Sequence, residues 1–189
     1  RSVPGYSNII AMTGLIAARH AHDNTRCYDL GCSLGASTLA MASQLPDRPI
    51  EFIAVDNSEA MLERCQLAVA SLTTPGNITL LCESLQDVPI NNASVVVLNF
   101  TLQFVPLAER DAVIQRIHEG LQPGGVLVLS EKIRFDNPVM QDETTELHHA
   151  FKRANGYSQL EVSQKRTALE NVLIPETLAE HEQRLQRAG

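Results

Sequence analysis

The strongest constraint in this chain of 189 residues is a rhythm. Short, mainly apolar runs alternate with segments of helical length. Residues 27–30, 52–55, 78–81, 95–98 and 126–129 are such runs, and Val95-Val96-Val97-Leu98 has strong β propensity. Strands without polar alternation are covered on both faces, which requires a mostly parallel sheet with helices above and below it. Right-handed crossovers then give an α/β doubly wound sandwich. The segments between the strands fit. Residues 7–19 read as a helix with Ile9, Ile10, Met12, Leu15 and Ile16 on one side. Residues 37–44 carry Leu39, Met41 and Ala42. Ser58 is a good N-cap for a helix running to about Leu72. Thr73-Thr74-Pro75-Gly76-Asn77 breaks that helix, and Pro123-Gly124-Gly125 stops one over residues 107–121. From Gln141 the strands cease, and residues 141–152, 159–172 and 175–187 read as three helices. The charges between Glu170 and Arg187 are expected to form a solvated helix face. Residues 1–189 are expected to make one domain, with 141–189 its helical C-terminal portion.

Composition removes several function classes. Hydrophobic residues make up 44%, enough for a sizeable core. Fifteen basic against 22 acidic residues give a net charge of −7, which argues against a dedicated nucleic-acid binder. No apolar run reaches the ~18 residues that would span a bilayer. Cys27, Cys32, Cys65 and Cys82 include no C-x-x-C pair, so neither a zinc ribbon nor a thioredoxin motif is written here. Free thiols in a reducing cytoplasm are the simplest reading. His148-His149 point in different directions on a helix and make a poor metal pair. The first residue is Arg1 rather than Met, so the sequence is expected to start inside a longer natural chain.

Ligands of such sheets bind at the carboxyl ends of the strands. There the chain reads Tyr28-Asp29-Leu30-Gly31-Cys32-Ser33-Leu34-Gly35. Gly31 lets a ligand approach the backbone, and Gly35 lets the chain turn into the next helix. Asp56 ends the second strand, where a carboxylate can accept from both ribose hydroxyls of an adenosine. A dinucleotide fingerprint would need Gly at 31, 33 and 36. The chain has Gly31, Ser33 and Ala36, and Ser33 obstructs a pyrophosphate, so NAD is disfavoured; a Walker loop is absent. The pattern D-x-G-x-x-x-G with a strand-end acid resembles the S-adenosylmethionine-binding loop of class I methyltransferases, whose usual Gly is replaced here by Ser33. The plainer alternative is a tight strand-to-helix turn with no ligand.

Longer stretches carry a closer resemblance. They are Arg1-Ser2-Val3-Pro4-Gly5-Tyr6, Asp29-Leu30-Gly31-Cys32-Ser33-Leu34-Gly35, Val97-Leu98-Asn99-Phe100-Thr101-Leu102-Gln103-Phe104, Leu129-Ser130-Glu131-Lys132, Phe151-Lys152-Arg153-Ala154-Asn155-Gly156-Tyr157 and Ser163-Gln164-Lys165-Arg166. Together they resemble the carboxy-S-adenosyl-L-methionine synthase family, which has the Rossmann-like class I methyltransferase fold. The resemblance implies an enzyme that converts S-adenosyl-L-methionine and prephenate to carboxy-S-adenosyl-L-methionine and phenylpyruvate. That product serves 5-oxyacetic acid modification of the tRNA wobble uridine. Residue by residue, it implies that Tyr6, Gly31, Cys32 and Ser33 line the methionine side of the nucleoside and that Asp56 and Asn57 hold the ribose. Ser84 and Leu85 stand where the family has an Asp-Ile pair beside the adenine. Asn99 faces the sulfonium, and Arg166 meets the transferred carboxylate as the catalytic residue. It further implies a cytoplasmic homodimer with no metal, no membrane attachment and no direct nucleic-acid contact. The antiparallel strand pair that closes the family's sheet is expected to be missing from this chain.

Plainer roles stand beside these. A lone Arg such as Arg166 is more often a solvated charge, Tyr6 a packing residue, and Asn99 a strand-end cap. Cys32 has no adjacent His to activate it as a nucleophile. The alternative activities are an S-adenosylmethionine-dependent methyltransferase acting on a small molecule, or a non-catalytic nucleoside-binding module.

Overall fold

The computed structural model describes residues 2–72, 77–169 and 172–189, the side chains of residues 165–169 excepted. Five strands, β1 (Arg26–Leu30), β2 (Glu51–Asp56), β3 (Asn77–Cys82), β4 (Ala93–Asn99) and β5 (Leu121–Ser130), form one sheet in the order β3-β2-β1-β4-β5. Every pairing is parallel. The chain runs outward from β1 to β3, then returns to β1's other side with β4. The carboxyl ends of β1 and β4 therefore flank the switch point, where a crevice opens.

Alternate residues of the same strands feed two cores. On one face Cys27, Phe52, Val95 and Val97 pack with α1 (Tyr6–His20) and α2 (Ala36–Gln44). Ala54 meets Leu62 of α3 (Glu59–Ala70). On the other face Tyr28, Leu30, Val55, Val96 and Leu98 pack on Val113, Ile114 and Ile117 of α4 (Leu107–Gly120). A strand buried on both faces has no polar side, which is why the runs in β1, β2 and β4 are mainly apolar, with Asp29 the one acid within them.

Three expectations are corrected. In α1 the buried residues are Thr13, Gly14 and Ala17, while Met12 and Leu15 are 53% and 52% exposed. A Cβ on Gly14 would lie 2.7 Å from the Ala40 carbonyl oxygen, so α1 and α2 cross on small residues and the large ones turn outward. Next, α4 ends at Gly120, not at the Pro-Gly-Gly, and Leu121 is already extended; a Cβ on Gly120 would lie 2.4 Å from the Ile90 carbonyl oxygen, so only glycine fits there. Pro123-Gly124-Gly125 instead bulges within β5, between the Ala93–Leu121 and Val95–Val126 pairs. Finally, Ser58 occupies the N-cap of α3 but makes no side-chain cap.

The C-terminal portion contains α5 (Pro138–Ala154), α6 (Gln159–Leu169) and α7 (Leu178–Ala188), the last opened by a Thr177–Glu180 capping box. The expected solvated charged face is found only in part: Glu182 and Arg187 are exposed, Glu176, His181 and Arg184 are buried, and Glu170 lies outside the described residues. Arg110 of α4 has a fully buried side chain and holds Glu176 at 2.5 Å. Its Nε donates to the Val105 carbonyl (2.9 Å), and its Nη2 donates to those of Gln103 (3.1 Å) and Ile174 (2.9 Å). Arg184 binds the same carboxylate at 2.6 Å and Asp111 at 2.7 Å. The Ile174 amide donates to the Gln103 carbonyl (2.9 Å) and the Arg134 amide to that of Glu176 (2.8 Å). The segment before α7 is thereby tied to the turn after β4 and the loop after β5.

Glu131 fixes that turn from the other side. Its carboxylate accepts the amides of Thr101 (2.9 Å), Leu102 (2.7 Å) and Gln103 (3.3 Å) at the 3-10 turn Leu102–Phe104. Burial pushes its pKa up to about 7, against the pull of these amides and of Arg110's charge.

Two outcomes follow for stability. Arg110→Leu leaves Glu176 with Arg184 as its remaining partner and strips the donor from three carbonyls, and should cost about 3–5 kcal/mol in urea unfolding. Glu131 has an ordinary pKa of 4.5 and a folded value of about 7, so its stabilising contribution is full below pH 4.5 and disappears as pH rises through 7. Across that window the protein should lose on the order of 2–3 kcal/mol relative to Glu131→Gln. Parallel stability–pH curves for the two proteins would refute this role.

Candidate active site

The loop after β1 folds back over the end of β2. The amides of Gly31 and Cys32 both donate to the Val55 carbonyl at 2.8 Å. Gly31 has φ +80 and Gly35 φ +81, the left-handed region that glycine enters freely. Their neighbours require glycine as well. A Cβ on Gly31 would sit 2.4 Å from Thr101 Cγ2, and one on Gly35 would sit 2.5 Å from Cys65 Sγ. Ser33 has φ +51 and reaches that region with a side chain. Its amide is held by Asp56 Oδ2 at 2.9 Å, while Asp56 Oδ1 takes the Ser58 amide at 2.9 Å. Asp56 thus clasps the loop to the start of α3. Each of its oxygens keeps a further lone pair for a hydroxyl donor. Asn57 follows it and is exposed.

Asp29 serves the fold. It is buried, and one of its oxygens accepts both the amide (2.9 Å) and the hydroxyl (2.6 Å) of Thr38. Burial pushes its pKa up to about 6; the Thr38 bonds oppose this and the Asp56 charge adds to it. Cys32 is buried, and desolvation, followed by the charge of Asp29, drives its thiol far above the ordinary range. That keeps it protonated and inert.

Asn99 ends β4. Its Nδ2 donates to Ser37 Oγ at 2.7 Å, and its Oδ1 is buried with no partner among the described residues. An orphaned acceptor costs ~1–3 kcal/mol unless a donor or a positive group meets it, so the position fits a cationic ligand. Phe100, next in the chain, is held at φ +57 by its amide on Ser130 O (2.7 Å) and by Gln103 Nε2 on its carbonyl (3.0 Å). Such strain in a non-glycine residue concentrates at functional sites. The Tyr6 ring stands 6.4 Å from that of Phe100, tilted by 36°. Burial, then the charge of Asp29, raises the Tyr6 pKa.

Tyr6, Gly31, Cys32, Ser33, Asp56, Asn57 and Asn99 thus belong to one end of the sheet, around β1, β2 and β4. Ser84 and Leu85 follow β3 at the same end. Ser84 donates its hydroxyl to Gln86 Oε1 at 2.6 Å, and Leu85 packs against the α4 core. Arg166 falls in α6, and its side chain lies outside the described residues.

The sequence reasoning missed Gln103, Glu131 and a cleft of about 650 Å³ beside Phe100, walled by residues 2–4, the loop after β5 and α5. The available signal was Glu131-Lys132, two charges directly after an apolar run. Among the described residues no group of three or more His, Cys, Asp or Glu could hold a metal, and no helix is long and apolar enough to cross a membrane.

Comparison with known proteins agrees with this fold. A family model described as a methyltransferase domain matches residues 28–125, which run from β1 into β5. Among solved structures the chain is similar to the cyclopropane synthase MmaA2 from Mycobacterium tuberculosis, with TM-score 0.69 and 17% identity over 95% of this chain and 60% of that one, a likeness of fold. Among curated relatives, carboxy-S-adenosyl-L-methionine synthase from Trichlorobacter lovleyi is 62% identical over all of this chain and 78% of its own length. The protein of the same name from Shewanella oneidensis is 55% identical over the same shares. With that identity running through both the site and the helical portion that follows the sheet, the chain belongs to the carboxy-S-adenosyl-L-methionine synthase family.

Proposed function

We propose that this enzyme converts S-adenosyl-L-methionine and prephenate to carboxy-S-adenosyl-L-methionine and phenylpyruvate, supplying the carboxyl carrier for wobble-uridine modification in tRNA. It works in the cytoplasm as a homodimer of single-domain subunits and does not itself touch nucleic acid. The observation that carries this reading is the 62% identity to a carboxy-S-adenosyl-L-methionine synthase over the whole chain. The buried, unpartnered Oδ1 of Asn99 supports it from the structure, since that atom suits a neighbouring sulfonium.

A sulfonium acidifies its methyl group; prephenate, in becoming phenylpyruvate, releases carbon dioxide and hydroxide, the hydroxide leaves as water with a methyl proton, and the methyl carbon bonds the carbon dioxide. The chain's part is to bind, orient and exclude water. Gly31 and Ser33 give the nucleoside's methionine side access to backbone, and Cys32 contributes an inert apolar wall. Asp56 and Asn57 accept the ribose hydroxyls. Ser84 can accept from the adenine amine as a neutral group, and Leu85 backs the base. Asn99 orients the sulfonium, with Tyr6 covering it beside Phe100. Arg166 supplies a planar fork that pairs bidentately with the new carboxylate. A methyltransferase acting on a small molecule, which the methyltransferase-domain match also accommodates, needs no such cation beside the methyl group.

Incubated with S-adenosyl-L-methionine and prephenate, the protein should yield a nucleoside heavier by one carbon dioxide in mass spectrometry, and only when prephenate is present. S-adenosylhomocysteine accumulating with a methylated acceptor would establish the methyltransferase instead. Arg166→Ala should weaken the carboxylated nucleoside by on the order of 2–5 kcal/mol and S-adenosyl-L-methionine far less. Calorimetry giving equal losses for both would remove Arg166 from its assigned role.

A further inference from the structure

The cleft beside Phe100 has an unusual charge balance. Much of its wall is apolar, from Val3, Pro4, Phe100, Ile133, Phe135 and Leu173. Among the described residues its ionisable lining is Lys132, Lys152, His148 and His149, with no aspartate or glutamate, in a chain of net charge −7. These groups act on one another. Burial first, then the charges of Lys152, Lys132 and His149, holds the His148 imidazole below its usual range, opposed by its bond to the Ser2 carbonyl. Nε2 lies 2.9 Å from that carbonyl, which only accepts, so Nε2 carries the proton. Two carboxylates stand near this group. Glu131 is turned onto the amides of residues 101–103. Glu146 lies 3.8 Å from His149 Nδ1, with a side chain 74% exposed.

A volume of about 650 Å³ suits a small molecule, and apolar walls with a few convergent cations suit a hydrophobic acid. The cleft adjoins the proposed nucleoside site, because Phe100 lines it, directly follows Asn99 and stands 6.4 Å from the Tyr6 ring. We propose that this cleft seats the second substrate, a ring-bearing 2-oxo acid, with Lys132 and Lys152 pairing with the carboxylate that survives the reaction and Phe100 and Phe135 against the ring. The assignment rests on the functional reading above and adds to it the residues that select the acid. Both lysines reach as compact point charges on flexible stems, which suits a carboxylate carried through a change in ring geometry.

The test uses phenylpyruvate and its methyl ester as probes, titrated calorimetrically, with S-adenosyl-L-methionine measured in parallel. The unaltered protein should bind phenylpyruvate more tightly than the ester. Lys132→Gln and Lys152→Gln should each weaken phenylpyruvate roughly tenfold, the effect of one charge-assisted hydrogen bond, and leave the ester unchanged. S-adenosyl-L-methionine should stay within about twofold, and the KM for prephenate should rise without a change in that for the nucleoside. Lys132 is exposed, so its replacement leaves folding intact. Undiminished phenylpyruvate affinity in both variants, or a loss that falls on S-adenosyl-L-methionine instead, overturns the assignment. If carboxylated nucleoside forms and both variants keep the prephenate KM, the cleft is wrong and the function stands. If phenylpyruvate binds through the lysines but prephenate is never turned over, the cleft stands and the function falls.

Discussion

A guanidinium without access to water organises the half of the molecule that follows the sheet. Arg110 spends its donors on Glu176 and on the carbonyls of Gln103, Val105 and Ile174. A buried ion pair is weak evidence for stability, because desolvation offsets much of its attraction. What it supplies here is register. Two segments far apart in sequence, the turn after β4 and the strap before α7, can meet in one way only. Gln103, Leu173 and Pro175 from those two segments line the same cleft. The wall of the cleft therefore depends on a contact made deep in the α4 side of the core.

The acids near the site are turned toward backbone. Asp29 holds the first turn of α2, Asp56 bridges the loop to α3, and Glu131 holds the 3-10 turn. Raised acid pKa values, as at Asp29 and Glu131, often mark catalytic groups. Here the geometry assigns both to the frame, since amides and a hydroxyl occupy them. Asp56 has a second task. Ser33 stands where the loop needs a left-handed residue, and the hydrogen bond its N–H donates to Asp56 offsets the steric cost of a side chain there.

The sheet was legible because burial on both faces leaves no polar alternation to confuse the reading. Its strands differ from expectation mainly at their ends. Gly31 and Gly35 were legible because both φ and the neighbouring Thr101 and Cys65 exclude a side chain. Other features were not. Large apolar residues in α1 suggested its buried side, yet Gly14 lets two helices approach so closely that Met12 and Leu15 turn outward. The charges after Glu170 looked solvated because helical spacing reports only local neighbours. Glu176 and Arg184 are buried by partners on α4, and no local pattern announces a partner so distant. Phe100 has an ordinary sequence context, and only the coordinates give its positive φ and its place between Tyr6 and the cleft.

The proposed reaction brings a cation and an anion together, and the distribution of charge fits that need. A net negative chain attracts a sulfonium at long range and repels a dicarboxylate. The repulsion is reversed locally, because the cleft is lined by Lys132, Lys152 and two histidines while Glu131, beside it, is bonded to amides. Opposite charges left free to meet in water would pair unproductively and remain hydrated. Phe100 stands at the boundary between the two regions, held there by Ser130 and Gln103. Apolar walls around that boundary lower the local dielectric, so each charge is felt more strongly by its own partner. On the proposed reading, each charge would then stay with its own partner on its own side of Phe100.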